Sequence, residues 1–205
     1  MGRAKFAVVL EKILELKRTG FMKLCVYGTI GYGKSHILAA VACYLMQQGK
    51  KVIYLLDCHA MLRGFVRYVK DALLLAFGDS PNHQQEIAAL ESADDIAAFS
   101  ERIYNEEIDL YFIVDQMNAL DFEEDNKDAS SNGMKEKVSE GLNSIMYGHY
   151  VVKSASANYR TAMHMEMKQT NELKISLFGG LEKVSILPLL NYYCLLHTLN
   201  SLLVW

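Results

Sequence analysis

The segment Gly28-Thr-Ile-Gly-Tyr-Gly-Lys-Ser35 constrains this chain more than any other, because of what stands on either side of it. Phe21 to Tyr27 (FMKLCVY) is short and mostly apolar, the pattern of a buried parallel strand. Ser35 to Gln48 is apolar almost throughout and is followed by Gly49, the pattern of a buried helix closed by a glycine. A glycine-rich turn joining such a strand to such a helix matches G-x-x-x-x-G-K-[ST] in full. Gly28, Gly31 and Gly33 admit backbone dihedrals that other residues resist, so successive N–H groups can turn inward on one anion. The helix that starts near Lys34 adds its unpaired amides and the positive end of its dipole. The expected ligand is ATP, cradled by Gly28, Thr29, Ile30, Gly31, Tyr32, Gly33, Lys34, Ser35 and His36. Lys34 is expected to meet the β- and γ-phosphates, and the Ser35 hydroxyl to ligate Mg2+.

Magnesium keeps much of its water and needs few protein oxygens, but it favours a carboxylate held on a rigid element. Leu110 to Val114 (LYFIV) is too apolar for any but a central strand, and Asp115 follows it directly, which makes Asp115 the expected Walker B aspartate. Many ATPases of the additional-strand type have a glutamate next, to polarise the attacking water, whereas this chain has Gln116. An amide orients water but cannot take its proton. Hydrolysis would then be slow, draw on another carboxylate such as Glu123 or Glu124, or rest on positioning alone. Two readings of Gln116 stay open: an orienter of the attacking water, and a simple contact to the γ-phosphate or the residues behind it. At the end of a fourth expected strand, Tyr150 to Ala157 (YVVKSASA), the polar residues Ser154, Ser156 and Asn158 alternate. Asn158 is the first choice as a sensor of the γ-phosphate, against an ordinary strand-end turn, and Arg160 is a weaker candidate for the same phosphate.

The rest of the chain continues the alternation of strands and helices. Phe6, Val9, Leu10, Ile13, Leu14 and Leu16 recur at helical spacing ahead of Thr19-Gly20, which predicts an N-terminal amphipathic helix over 1–20. Lys51 to Asp57 (KVIYLLD) reads as a strand, His59 to Phe77 as a helix and Pro81 to Glu107 as mixed helical sequence. Asp121 to Gly133 reads as a polar surface loop and Met134 to Met146 as a helix. Crossovers of this length permit parallel pairing, so the expected fold is α/β, a three-layer α/β/α sandwich on a mostly parallel sheet. It would be a P-loop NTPase core of the additional-strand class over 21–180. With 205 residues, 51% hydrophobic, 22% charged and only 2 prolines, the chain is neither disordered nor a tandem multidomain enzyme.

Charge is segregated, with 12 basic against 3 acidic side chains over 1–70 and 2 against 16 over 71–128. Solvated faces that balance in the fold account for this more simply than an anionic partner does. Arg63, Arg67 and Lys70 fall at i, i+4 and i+7, a stripe able to meet nucleic-acid phosphates but better read as a solvated helix face. Cys25, Cys43, Cys58 and Cys194 have no C-x-x-C or zinc-ligand spacing and read as reduced residues, which favours an intracellular compartment, cytoplasm or nucleus. Met163, Met165 and Met167 read as packing. The N-terminal apolar run is too short and too charged for a secretory signal. Ile186 to Trp205 carries no charged side chain, yet Pro188, Asn191, His197, Asn200 and Ser201 argue against a membrane span. A core helix, or a tail left by a truncated or altered reading frame, is the better reading, and 181–205 is set apart as an apolar tail.

Three strings together resemble the P-loop ATPase module of Crinkler-type (CRN) effector proteins: VYGTIGYGKSHILAAVACYL (Val26 to Leu45), IDLYFIVDQMNAL (Ile108 to Leu120) and SASANYRTAMHMEMKQTNELKISLFGG (Ser154 to Gly180). These modules are similar to retrotransposon hot spot proteins and have an AAA-like or STAND-like core. The first string is generic to many ATPases; DQMNAL and SASANY are the particular parts. The resemblance covers residues 20 to 180. It implies that Gly28 to Ser35 bind ATP, that Asp115 holds magnesium, and that the module powers or gates an attached effector domain, often nuclease-like, in a host nucleus. The family's N-terminal ubiquitin-like header and a nuclease module after Gly180 are not recognisable, so the chain looks like a partial member, and delivery into a host rests on resemblance alone.

The expected function is an ATP-binding domain with weak ATPase activity, acting as a switch or motor for a partner protein or effector domain. A nucleotide-binding module without turnover is the first alternative. A nucleotide or small-molecule kinase ranks lower, for want of an arginine-rich lid. In the hydrolytic reading water attacks the γ-phosphate in line, Lys34 neutralises developing charge, and Gln116 or Asn158 positions the water.

Overall fold

Each crossover between strands is long enough to bring the chain back to the same end of a sheet, and all four strand pairs are accordingly parallel. The computed structural model describes residues 2–16, 22–121, 129–156 and 172–177. Its strands are β1 Lys23–Gly28, β2 Lys51–Leu55, β3 Leu110–Val114, β4 Tyr150–Ser156 and β5 Leu173–Leu177, in the order β2-β3-β4-β1-β5. β4 therefore lies between β1 and β3, which is the extra strand of the additional-strand class.

The helices are α1 Gly2–Leu14, α2 Lys34–Gln47, α3 Cys58–Arg63, α4 Phe65–Ala76, α5 Pro81–Ala89, α6 Ala93–Asn105 and α7 Ala129–Ile145. They divide between the two faces of the sheet, and β3 shows why. Its five residues are all buried, and alternate side chains enter opposite cores. Leu110, Phe112 and Val114 pack with Met61, Leu73, Ile87, Phe99 and Leu142 from α3 to α7. Tyr111 and Ile113 pack with Val9 and Ile13 of α1 and with Leu38 and Val41 of α2. On that second face Tyr111 stacks on Tyr150 of β4, with ring centroids 4.8 Å apart. The expected three-layer sandwich is the observed fold.

Local differences from the sequence reading have identifiable causes. The single helix expected over 59–77 is broken at Gly64, whose N–H donates to the Met61 carbonyl (3.2 Å) while its own carbonyl accepts from Tyr68 (2.9 Å) to start α4. That break takes Arg63 off the helix that bears Arg67 and Lys70. The basic stripe is not formed, because the half-buried Lys70 ammonium donates to the carbonyls of Ala88 (2.9 Å) and Leu90 (2.5 Å) and so closes the C-terminus of α5. Arg63 and Arg67 are both exposed and behave as solvated side chains. α7 begins at Ala129 where the sequence suggests a loop up to Gly133; burial of Lys135, Val138, Leu142 and Ile145 along one face outweighs the weak propensity of its first turns. β5 (LKISL) carries Lys174 and Ser176 and buries only Leu177 completely, so it gives no apolar run to recognise.

Cys25 and Cys58 are buried and Cys43 is half-buried, all three as free thiols. Burial pushes the Cys25 thiol up to about 11 and the Cys58 thiol up to about 12, the latter with help from the nearby charges of Asp115 and Asp57. Since the thiolate is the nucleophile, iodoacetamide at about pH 8 is expected to spare both residues in the native protein and to label them on unfolding. Native Cys58 reacting at the rate of a free thiol would contradict this burial. No helix among the described residues is long and apolar enough to cross a membrane. Cys194, the three alternating methionines and the apolar stretch from Ile186 lie outside the described residues.

Candidate functional site

β1 ends at Gly28 and α2 begins at Lys34, so the loop between them opens at the carboxyl end of the sheet, next to β5. Gly28 has φ +151°, and a Cβ at this position would lie 1.8 Å from the carbonyl oxygen of Leu177. Thr29 N–H donates to that same oxygen at 3.2 Å. Gly33 then caps α2 in the left-handed conformation, φ 85° and ψ 22°, and offers no side-chain oxygen to the first amides of the helix. Gly31 also has positive φ. Among the described residues, the N–H groups of Ile30, Gly31, Gly33, Lys34 and Ser35 make no hydrogen bond. Free amides at the start of a helix, with the positive dipole end behind them, are an arrangement suited to an anion. Tyr32 anchors the loop from beneath, its ring buried in the core shared with α1 and α2. Thr29, Ile30, Gly31 and His36 are exposed, and Ser35 is half-buried.

Lys34 is buried, and its Nζ donates to the carbonyls of Gly28 (3.0 Å) and Thr29 (2.8 Å). Desolvation lowers its pKa below the usual lysine value, while the Asp115 carboxylate acts in the opposite direction. The two charges that the sequence assigns to phosphate and metal therefore feel each other across the site.

Asp115 is 2% exposed at the end of β3, held on several sides. Its N–H donates to the Leu55 carbonyl (2.9 Å), and its own carbonyl accepts the Cys58 S–H (3.0 Å). Side-chain Oδ1 accepts from the hydroxyl of Ser154 on β4 and from the N–H of Gln116 at 2.9 Å. Among the described residues, Oδ2 is buried with no hydrogen-bond partner. An ionised oxygen left bare in the interior is costly unless a cation meets it. That orphan fits Mg2+, which asks for one rigid carboxylate oxygen and few other protein ligands. No group of three His, Cys, Asp or Glu side chains converges among the described residues.

Gln116 adopts the left-handed conformation, φ 58° and ψ 39°, sparsely populated by residues other than glycine. In that conformation its N–H turns back on Asp115 while its carbonyl accepts from Ala119 (2.9 Å) to begin the 3-10 turn Met117–Leu120. The side chain is half-buried beside Asp115. Asn158, Arg160, Glu123 and Glu124 lie outside the described residues. Sequence reasoning missed the contacts of Ser154, Cys58 and Leu177. Only Ser154 left a signal, a hydroxyl on an otherwise apolar strand. Cys58 and Leu177 act through backbone carbonyls, which no side-chain pattern reveals.

The family described as the bacterial DnaA ATPase domain matches residues 3–127. No curated protein matches the chain significantly. Among solved structures, the chain is similar to the ORC2 protein of Aeropyrum pernix in ADPNP–ADP complexes, with TM-score 0.48 and 14% identity over 86% of this chain and 47% of that one. It is similar to AMPPCP-bound DnaA from Aquifex aeolicus, with TM-score 0.42 and 13% identity over 82% and 44% of the two chains. Drosophila ORC bound to GC-rich DNA and Cdc6 gives TM-score 0.45 and 14% identity over 91% of this chain and 30% of that one. The chain thus spans less than half the length of these solved proteins.

Proposed function

The chain belongs to the family of bacterial DnaA ATPase domains, and on that premise we propose that it binds ATP with Mg2+ at Gly28 to Ser35 and hydrolyses it slowly, as a switch for a partner protein or an attached domain. Membership makes it a nucleotide-binding AAA+ domain; the residues and the pace of turnover are our reading. The observation that carries it is the bare, buried Oδ2 of Asp115, set beside a lysine whose ammonium is held by the loop's own carbonyls. Lys34 exchanges those carbonyls for the β- and γ-phosphates, and the free amides of Ile30, Gly31, Gly33, Lys34 and Ser35 donate to the phosphate oxygens. Ser35 and Asp115 would hold magnesium, which when bound supplies charge neutralisation on the phosphates. Gln116 orients the attacking water without accepting its proton, hence the slow rate, and Asn158 contacts the γ-phosphate.

Steady phosphate release from ATP tests this directly. A low but measurable rate is expected, falling about a hundredfold in Asp115→Asn. Absence of release in the wild type, with ATP still bound, selects a second reading, a binding module without turnover, which the amide at Gln116 favours. The resemblance of DQMNAL and SASANY to Crinkler-type modules narrows the first reading to one in which the attached domain is an effector.

A further inference from the structure

Among the described residues, two donors converge on one oxygen of the Asp115 carboxylate and none reaches the other. A carboxylate has two chemically equivalent oxygens and a soft terminal torsion, so a single neighbour does not decide which oxygen faces which way. The N–H of Gln116 comes from the adjacent residue and turns with the same stretch of backbone. The Ser154 hydroxyl comes from β4, the neighbouring strand, which pairs with β3 on one side and β1 on the other. Ser154 is 1% exposed, in register with Val26 of β1, where bulk water cannot stand in for its hydroxyl. Its proton must point to Asp115, because an ionised carboxylate only accepts.

We propose that Ser154 is a positioning residue: by donating to Asp115 Oδ1 across the sheet it turns the carboxylate so that Oδ2 is the oxygen offered to Mg2+. This rests on the metal–nucleotide reading above. The outer partner of a metal-binding group typically governs metal affinity by one to two orders of magnitude without touching the ion. The Ser154 hydroxyl is buried against Asp115, so on this proposal its removal acts on the metal alone.

The test is a MgCl2 titration of ATP binding to the whole chain, followed by calorimetry in the wild type and in Ser154→Ala, Ser154→Cys and Ser154→Thr. The half-saturating Mg2+ concentration is expected to rise about tenfold in Ser154→Ala and in Ser154→Cys, which donates weakly, while Ser154→Thr stays within about twofold of wild type. ATP affinity in EDTA is expected to be equal in all four. Wild-type binding that ignores Mg2+ sinks the metal–nucleotide reading itself. Wild-type binding that needs Mg2+, with an unchanged midpoint in Ser154→Ala, overturns the role of Ser154 alone. Should Ser154→Ala not fold, Ser154→Cys carries the comparison. If both are unfolded while Ser154→Thr is folded, the hydroxyl serves the fold and the proposal falls.

Discussion

Lys34→Ala is expected to weaken ATP binding by at least about two orders of magnitude, read by calorimetry against the wild type. The ammonium sits inside the loop, donating to Gly28 and Thr29, and no other lysine or arginine among the described loop residues can take its place on the phosphates. The apo protein is expected to respond differently. Folding depresses the pKa of Lys34 below 10.5, so the unfolded chain holds that proton more tightly. The stability of this site is full above the unfolded pKa and is lost as pH falls through the depressed folded value. At neutral pH the charged lysine is therefore a cost to the fold, and Lys34→Ala should leave the thermal midpoint unchanged or raise it. Loss of binding together with a stable fold separates a binding role from a structural one; an unchanged affinity would remove the central charge from the proposal.

The second large effect is structural. Gly28→Ala is expected to destabilise the domain by about 3–5 kcal/mol, through overlap with a backbone oxygen and an unfavourable φ together. At this chain length that lowers the thermal midpoint by roughly 10 °C or more. The added Cβ would overlap the Leu177 carbonyl, at 1.8 Å from oxygen and 2.6 Å from carbon, and backbone cannot rotate away as a side chain would. Gly31→Ala is the control: its φ is also positive, at +80°, but no atom of the described residues lies within 4 Å of the new methyl. It should cost only about 1–2 kcal/mol. Equal losses at the two positions would show that the overlap with Leu177 is not what matters.

The parts of the fold legible in the sequence were those where burial and chain chemistry agree. β1, the glycine loop and α2 are announced by an apolar run, three glycines and a second apolar run, and Asp115 is found because LYFIV before it is buried on both faces. β4 was legible from YVV, and its place between β1 and β3 follows from the additional-strand class. β5 was not, since an edge strand needs to bury only one side chain well, and Leu177 in LKISL does so unaided. The start of α7 was hidden for the opposite reason: Ser, Asn and Gly in its first turns argue for a loop, and only tertiary burial further along overrules them. Of the candidate site, Lys34, Ser35 and Asp115 could be read directly as candidates, because the motif fixes their places. The residues that aim them could not, because Ser154 depends on which strand neighbours β3, and Cys58 on a main-chain oxygen 57 residues away.

The bond from Thr29 N–H to the Leu177 carbonyl joins the rim of the loop to the last described strand, one peptide from where the chain leaves it. A displacement of Leu177 thus reaches the loop through that carbonyl as well as through the pairing of β5 with β1 from Leu24 to Gly28, and any tightening of the loop is returned along the same routes. The outermost strand is a tether as well as a wall: the seating of β5 and the shape of the loop share the Leu177 carbonyl among their contacts.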